Sequence, residues 1–199
     1  MPAVLEGTPV QAGVGALKRK HWTRDQCQSM EAAGILDYRN YELLDGELVR
    51  IMPNRPKHND PQMSLYESLA AAVGPGRVLV EASVDLSPED TPTYEPQPDI
   101  VVLNVPRQSL RGAPRRPEHI ALLVEVSDTT LAYDLADKAL LYARAEIPEY
   151  WVLDINNRRI VVHRDPAGGR YRDVAAYAEN EDAAPLACPE CRVQAGALL

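Results

Sequence analysis

The apolar positions of this chain fall into two spacings, and the alternation between them outlines the fold. Leu65, Leu69, Ala72 and Val73 recur at helical spacing. Pro61 suits the first position of that helix, and Gly74-Pro75-Gly76 ends it. Upstream, Thr23 can N-cap a shorter helix through about Ala33, with Gly34 as its stop. Between the two helices, Leu43, Glu47, Val49 and Ile51 alternate partially about Asp45-Gly46, a hairpin signal. Asn54 to Asp60 is then a polar loop carrying His58.

Downstream the period shortens. Arg77 to Leu86 reads as a strand, closed by the Pro-rich loop Ser87 to Gln97, and Pro98 to Asn104 reads as the next. After an Arg- and Pro-rich loop, His119 to Val126 is almost continuously apolar, as a central strand covered on both faces must be. Asp128, Thr129 and Thr130 offer N-caps for a helix to about Ala145, beyond which Pro148 forbids continuation. Glu149–Asp154 and Arg159–Arg164 form a hairpin around Asn156-Asn157, and a strand-and-loop periphery with a Gly168-Gly169 turn follows. The order helix, three strands, helix, strand predicts one α/β domain over residues 21–199, with a mixed central sheet and an additional N-terminal hairpin. Residues 1–20 lack periodicity and are expected to form a disordered tail.

Composition adds bounds rather than identity. The 45% hydrophobic and 25% charged content of the 199 residues is that of an ordinary globular domain. No apolar run reaches the roughly 20 residues that span a bilayer, and no signal-peptide pattern opens the chain, so a cytoplasmic location is expected. A net charge of −8 argues against broad charge-driven binding to nucleic acid but leaves room for a local basic groove. The basic clusters, Lys18-Arg19-Lys20 and Arg111 to Arg116, read as solvated tail and loop. Three cysteines cannot build a full disulfide framework, in keeping with a reducing compartment. Cys188-Pro-Glu-Cys191 is half of a zinc knuckle, and structural zinc needs about four ligands.

The candidate chemistry sits between Pro98 and Asp154. Glu125 lies inside the most apolar run, where an unpaired carboxylate is costly. Lys138 falls on the same helical stripe as Leu131, Leu135, Leu141 and Tyr142, so it points inward and needs an anionic partner. Asp99 stands at the mouth of the preceding strand. Two carboxylates on adjacent strands can hold Mg²⁺, with the lysine orienting water or stabilising developing charge. That combination fits phosphodiester hydrolysis better than acyl transfer, for which no paired Ser or Cys with His is seen. Tyr142 and Trp151 read as core.

Pro98-Asp99 followed 26 positions later by Glu125-Val126-Ser127 resembles the PD-(D/E)xK signature. With Tyr41 to Glu47, His58, Asp134-x-x-x-Lys138, Leu141-Tyr142-Ala143 and Pro148 to Asp154, the pattern resembles the bacterial Uma-type restriction-endonuclease-like proteins over about residues 22–165. The resemblance implies a restriction-endonuclease-like αβββαβ core and a Mg²⁺-dependent endonuclease (Mn²⁺ as a substitute) acting on nucleic acid, DNA rather than RNA, with action as a homodimer. It implies catalytic roles for Asp99, Glu125, Lys138 and Glu47, metal ligation at Asp99, Glu125 and Val126, and support from His58 and Ser127. Ser127 departs from the pattern, which has lysine there; Lys138 is the replacement. Two other classes remain: a nucleic-acid-binding or regulatory module that keeps the fold without turnover, and a zinc adaptor using Cys188 and Cys191.

Overall fold

The computed structural model describes residues 20–51 and 56–199, with side chains from Asp60 onward in the second stretch. The expectations for residues 1–19 and for His58 lie outside the described residues and side chains. Helix α1 (Arg24–Ala32) starts at Thr23, whose hydroxyl accepts from the Gln26 N–H while the Gln26 side chain accepts from the Thr23 N–H. This reciprocal pair satisfies two N-terminal donors. Strands β1 (Tyr41–Leu44) and β2 (Glu47–Arg50) form a separate hairpin through the predicted Asp45-Gly46 turn. At Gly46 (φ 72°) a Cβ would lie 2.8 Å from the His21 side chain, so the turn position admits only glycine comfortably.

Helix α2 (Pro56–Val73) then leads into β3 (Val78–Val80), β4 (Ile100–Leu103) and β5 (Ile120–Ser127). The chain crosses over through α3 (Leu131–Tyr133), a π turn at Asp134–Lys138 and α4 (Ala139–Arg144) to reach β6 (Glu149–Asp154). Strands β7 (Arg159–Ala167) and β8 (Arg170–Ala178) and a terminal α5 (Ala195–Leu198) complete the chain. From α2 to β6 the order is αβββαβ, as the sequence pattern predicts. The six-stranded sheet runs β3-β4-β5-β6-β7-β8, with β5 and β6 parallel and every other pair antiparallel.

Alternation along β5 divides the core. Leu122, Val124 and Val126 pack with Leu65 and Leu69 of α2, Trp151 and Leu198 on one face. Leu123 packs with Val101, Leu141, Tyr142 and Tyr150 on the α4 face. A strand apolar on both sides is thereby covered on both sides.

Four local expectations differ from the structure. The strand expected over Arg77–Leu86 stops at Val80, because Glu81 adopts φ 48° and breaks the ladder. The second helix begins at Pro56, not Pro61; Pro61 sits inside it, at the cost of the bond its nitrogen would have donated. In the β6–β7 turn the left-handed residue is Arg158 (φ 50°), not Asn156 or Asn157. Cys188 and Cys191 form a disulfide, which removes both thiolates as zinc ligands. No helix among the described residues is long and apolar enough to cross a membrane.

Candidate active site

The antiparallel β4–β5 register pairs Ile100 with Val124. One step further, Asp99 stands opposite Glu125, and both side chains leave the sheet on the α4 face. Like charges directly opposite are destabilising unless something compensates them. Part of the compensation comes from the chain itself. Lys138 Nζ donates to Glu125 Oε1 at 2.9 Å and the Tyr142 hydroxyl donates to the same oxygen at 3.0 Å. Both donors converge on Oε1, which leaves Oε2 for the cleft. Asp99 Oδ2 accepts from the Val126 N–H at 2.6 Å. The carbonyl of a strand residue points to the same edge as its N–H, so Val126 presents its oxygen beside Asp99 as well.

The π turn sets the position of Lys138. Its extra residue places Asp134 and Lys138 both inward, each nearly fully buried. Asp134 Oδ2 accepts from Ser127 Oγ at 2.7 Å and from Thr130 Oγ1 at 2.6 Å. Ser127, where the motif has lysine, therefore ties the end of β5 to the turn that delivers Lys138. Lys138 Nζ also lies 3.7 Å from Glu42 Oε1 and 4.0 Å from Asp134 Oδ1.

Glu42 is the residue that sequence reasoning missed. It sits on β1 with its Oε1 accepting from the Gln97 N–H at 2.6 Å. The predicted acid of the hairpin, Glu47, shares that face but pairs with Leu44 beside the turn. It is exposed and does not line the cleft. The alternation 42, 44 on β1 was the available signal; the reading favoured the acid adjoining Asp45-Gly46 instead.

These groups line a cleft of about 560 Å³ containing Glu42, Glu81, Asp99, Glu125, Asp134 and Lys138. Its electrostatics are unbalanced. Burial, above all, raises the Glu125 carboxyl well above its ordinary range; Lys138 opposes this, while Asp99, Asp134 and Glu42 add to it. Burial alone would pull Lys138 down, but Glu125, Glu42 and Asp134 outweigh it and hold the ammonium firmly charged. Tyr133, on the cleft wall, has its phenol pushed up to about 12, mainly by burial. Three carboxylates, Glu42, Glu125 and Asp134, lie within 4.0 Å of the Lys138 ammonium, and Arg39 and Arg50 also line the cleft. Hard oxygen donors in net excess at a cleft are the donor set a Mg²⁺-sized cation takes.

The family described as "Uma2: Putative restriction endonuclease" matches residues 28–195. The chain belongs to this family. Among solved structures it is similar to a putative nuclease belonging to DUF820 from Anabaena variabilis, with a TM-score of 0.60. The two share 14% identity, and the match covers 79% of this chain and 88% of that one. At that identity the likeness speaks for the fold, a mixed α/β sheet of the nuclease kind. No curated protein matches the sequence.

Proposed function

We propose that the chain is a Mg²⁺-dependent endonuclease that hydrolyses phosphodiester bonds of nucleic acid, with DNA as the favoured substrate. The observation that carries this reading is the facing pair Asp99 and Glu125, with Lys138 locked onto one oxygen of Glu125. Asp99, the free oxygen of Glu125 and the Val126 carbonyl would hold the cation. When bound, Mg²⁺ supplies Lewis-acid polarisation of the phosphate and a more acidic water. Lys138 fixes the orientation of Glu125 and presents positive charge where the pentavalent phosphate gathers negative charge. Tyr142 keeps Glu125 from rotating, and Ser127 and Thr130 hold Asp134 so that the lysine stays in place. Glu42 takes the part expected of Glu47, as a third carboxylate around the ammonium beside Glu125 and Asp134. Two copies of the chain would serve the two strands of a duplex.

A second reading rests on one specific observation. Lys138 already faces three carboxylates, and the motif position next to the metal ligands is Ser127. A binding module that kept the fold without turnover would look the same.

Titration calorimetry with Mg²⁺ and Mn²⁺, paired with plasmid cleavage, separates the two. The wild type is expected to bind metal and cut, while Asp99→Ala and Glu125→Gln lose cleavage by at least 100-fold and keep their circular dichroism. Undiminished cleavage in both variants would overturn the site. DNA binding without cleavage under either metal would favour the module.

A further inference from the structure

The cleft is acidic and the chain carries a net charge of −8, so a polyanionic strand needs a basic surface elsewhere to hold it. The β4–β5 connection has the right charge. Residues 104–119 contain Arg107, Arg111, Arg115 and Arg116 against a single acid, Glu118. Several arginines elsewhere are ion-paired: Arg24 with Asp85, Arg144 with Asp90, Arg159 with Asp154, Arg164 with Glu149. Among the described residues none of the four loop arginines has a carboxylate partner. Four such guanidinium groups within one short connection concentrate positive charge on a protein of net charge −8.

The loop is also held in place. Pro106, Pro114 and Pro117 stiffen it, and Leu110 packs on the α4-side core. The Arg107 N–H donates to the Gly76 carbonyl at 2.8 Å, and the Asp85 N–H donates to the Arg115 carbonyl at 2.8 Å. The Arg115 guanidinium donates to the Ser83 carbonyl at 3.2 Å. Together Leu79, Arg107, Leu110, Arg111 and Arg115 line a groove of about 580 Å³.

This groove adjoins the catalytic cleft. Leu79 lines the groove and Glu81 lines the cleft. They are two residues apart in sequence across the kink at Glu81, which caps the separation at about 7 Å at roughly 3.3 Å per residue. That is about two nucleotide steps at roughly 3.4 Å of rise each. Leu110 places the loop on the face of the sheet that carries Glu125 and Lys138.

We infer that the groove formed by Arg107, Arg111 and Arg115 is the phosphate-binding track for the nucleic-acid strand flanking the scissile bond. The inference rests on the nuclease reading for its substrate, but it is testable without turnover. Arg107 and Arg111 contact phosphates through exposed guanidinium groups, and Arg115 braces the loop. The contacts are to the backbone, so they set affinity and register and carry no base preference.

The test is fluorescence anisotropy with a labelled 20-mer DNA, as single strand and as duplex, across a NaCl series, with and without Mg²⁺. Arg107→Gln/Arg111→Gln is expected to weaken binding about tenfold and to lower the slope of log K against log salt by about 2. Arg170→Gln/Arg192→Gln, exposed basic positions away from the groove, should bind like the wild type. Where cleavage is measurable, the loop variant should raise KM and leave kcat unchanged. Equal weakening by both double variants, or none by the loop variant, overturns the track, and so does a wild type that binds neither DNA. Loss of binding confined to the loop variant, in a wild type that never cuts, would leave the track standing and remove the nuclease reading instead. The tighter of the two DNA arms identifies the strand form that the groove holds.

Discussion

Glu125 and Lys138 share one hydrogen bond and one fate. Both are almost fully buried, so removing one partner leaves a charge without its counterion in a place water does not reach. Lys138→Met is therefore expected to destabilise the metal-free fold by about 3–5 kcal/mol at neutral pH, measured by urea denaturation. The sign of its pH dependence follows from Glu125. A carboxyl whose folded pKa is raised contributes stability below its ordinary value of 4.5 and loses it as pH rises through the folded value. Taking away Lys138 removes the positive charge that lowers that pKa, so the penalty should shrink toward pH 4. A penalty independent of pH would mean that Lys138 acts through packing alone. The inward direction of Lys138 was legible in the sequence, since helical spacing put it with Leu135 and Tyr142. Glu42 was not, because nothing in the spacing of β1 told which hairpin acid would meet a lysine 96 positions later.

At the scale of elements, the π turn decides where the lysine points. Each helical residue adds about 100° of rotation, so deleting the exposed Ala136 from the turn would restore regular helix and either swing Lys138 off Glu125 or pull Asp134 from Ser127 and Thr130. Cleavage is expected to fall at least 100-fold with helical content preserved, read by plasmid nicking and circular dichroism. Retained cleavage would show that the turn is incidental. The helix itself was legible from its caps and from Pro148; the π turn within it was not, because one extra residue in a turn leaves the apolar stripe nearly unchanged. The central strands β4, β5 and β6 were legible because each buries both faces and must be apolar throughout. The strand expected at Arg77–Leu86 was half wrong: its composition is strand-like to the end, and only the left-handed backbone at Glu81 stops it. That same kink turns Glu81 toward the cleft and leaves Leu79 with the arginine groove.

Across the whole molecule, the two faces of the sheet are not equivalent. The α2 face is mostly hydrocarbon with one buried ion pair, Glu149–Arg164, at its edge, whereas the α4 face carries a chain of polar and aromatic groups. His163 belongs to it, in contact with Tyr150 and Tyr171. Burial holds its pKa below the ordinary 6.5, with the backbone of Tyr150 and Val161 partly offsetting this. A depressed pKa means stability that is present above pH 6.5 and lost as pH falls through the folded value. Thermal melts from pH 7 to 5 should show the wild type losing more stability than His163→Phe; parallel curves would remove His163 from the acid response. The αβββαβ order and the acidic centre were readable from the chain, while this polar seam was not, since it depends on which strand face each tyrosine takes.

One feature of the sheet bears on when the protein becomes active. Strands β5 and β6 are its only parallel pair, and they can join only after the whole crossover has formed. The antiparallel β6–β7–β8 meander closes through short turns and needs no such excursion. Asp99 and Glu125 already meet across the antiparallel β4–β5 pair, but Lys138 reaches Glu125 only from the crossover that joins β5 to β6. A chain truncated before the crossover would therefore hold the two facing carboxylates without their ammonium, and the cluster is complete only once that junction has formed.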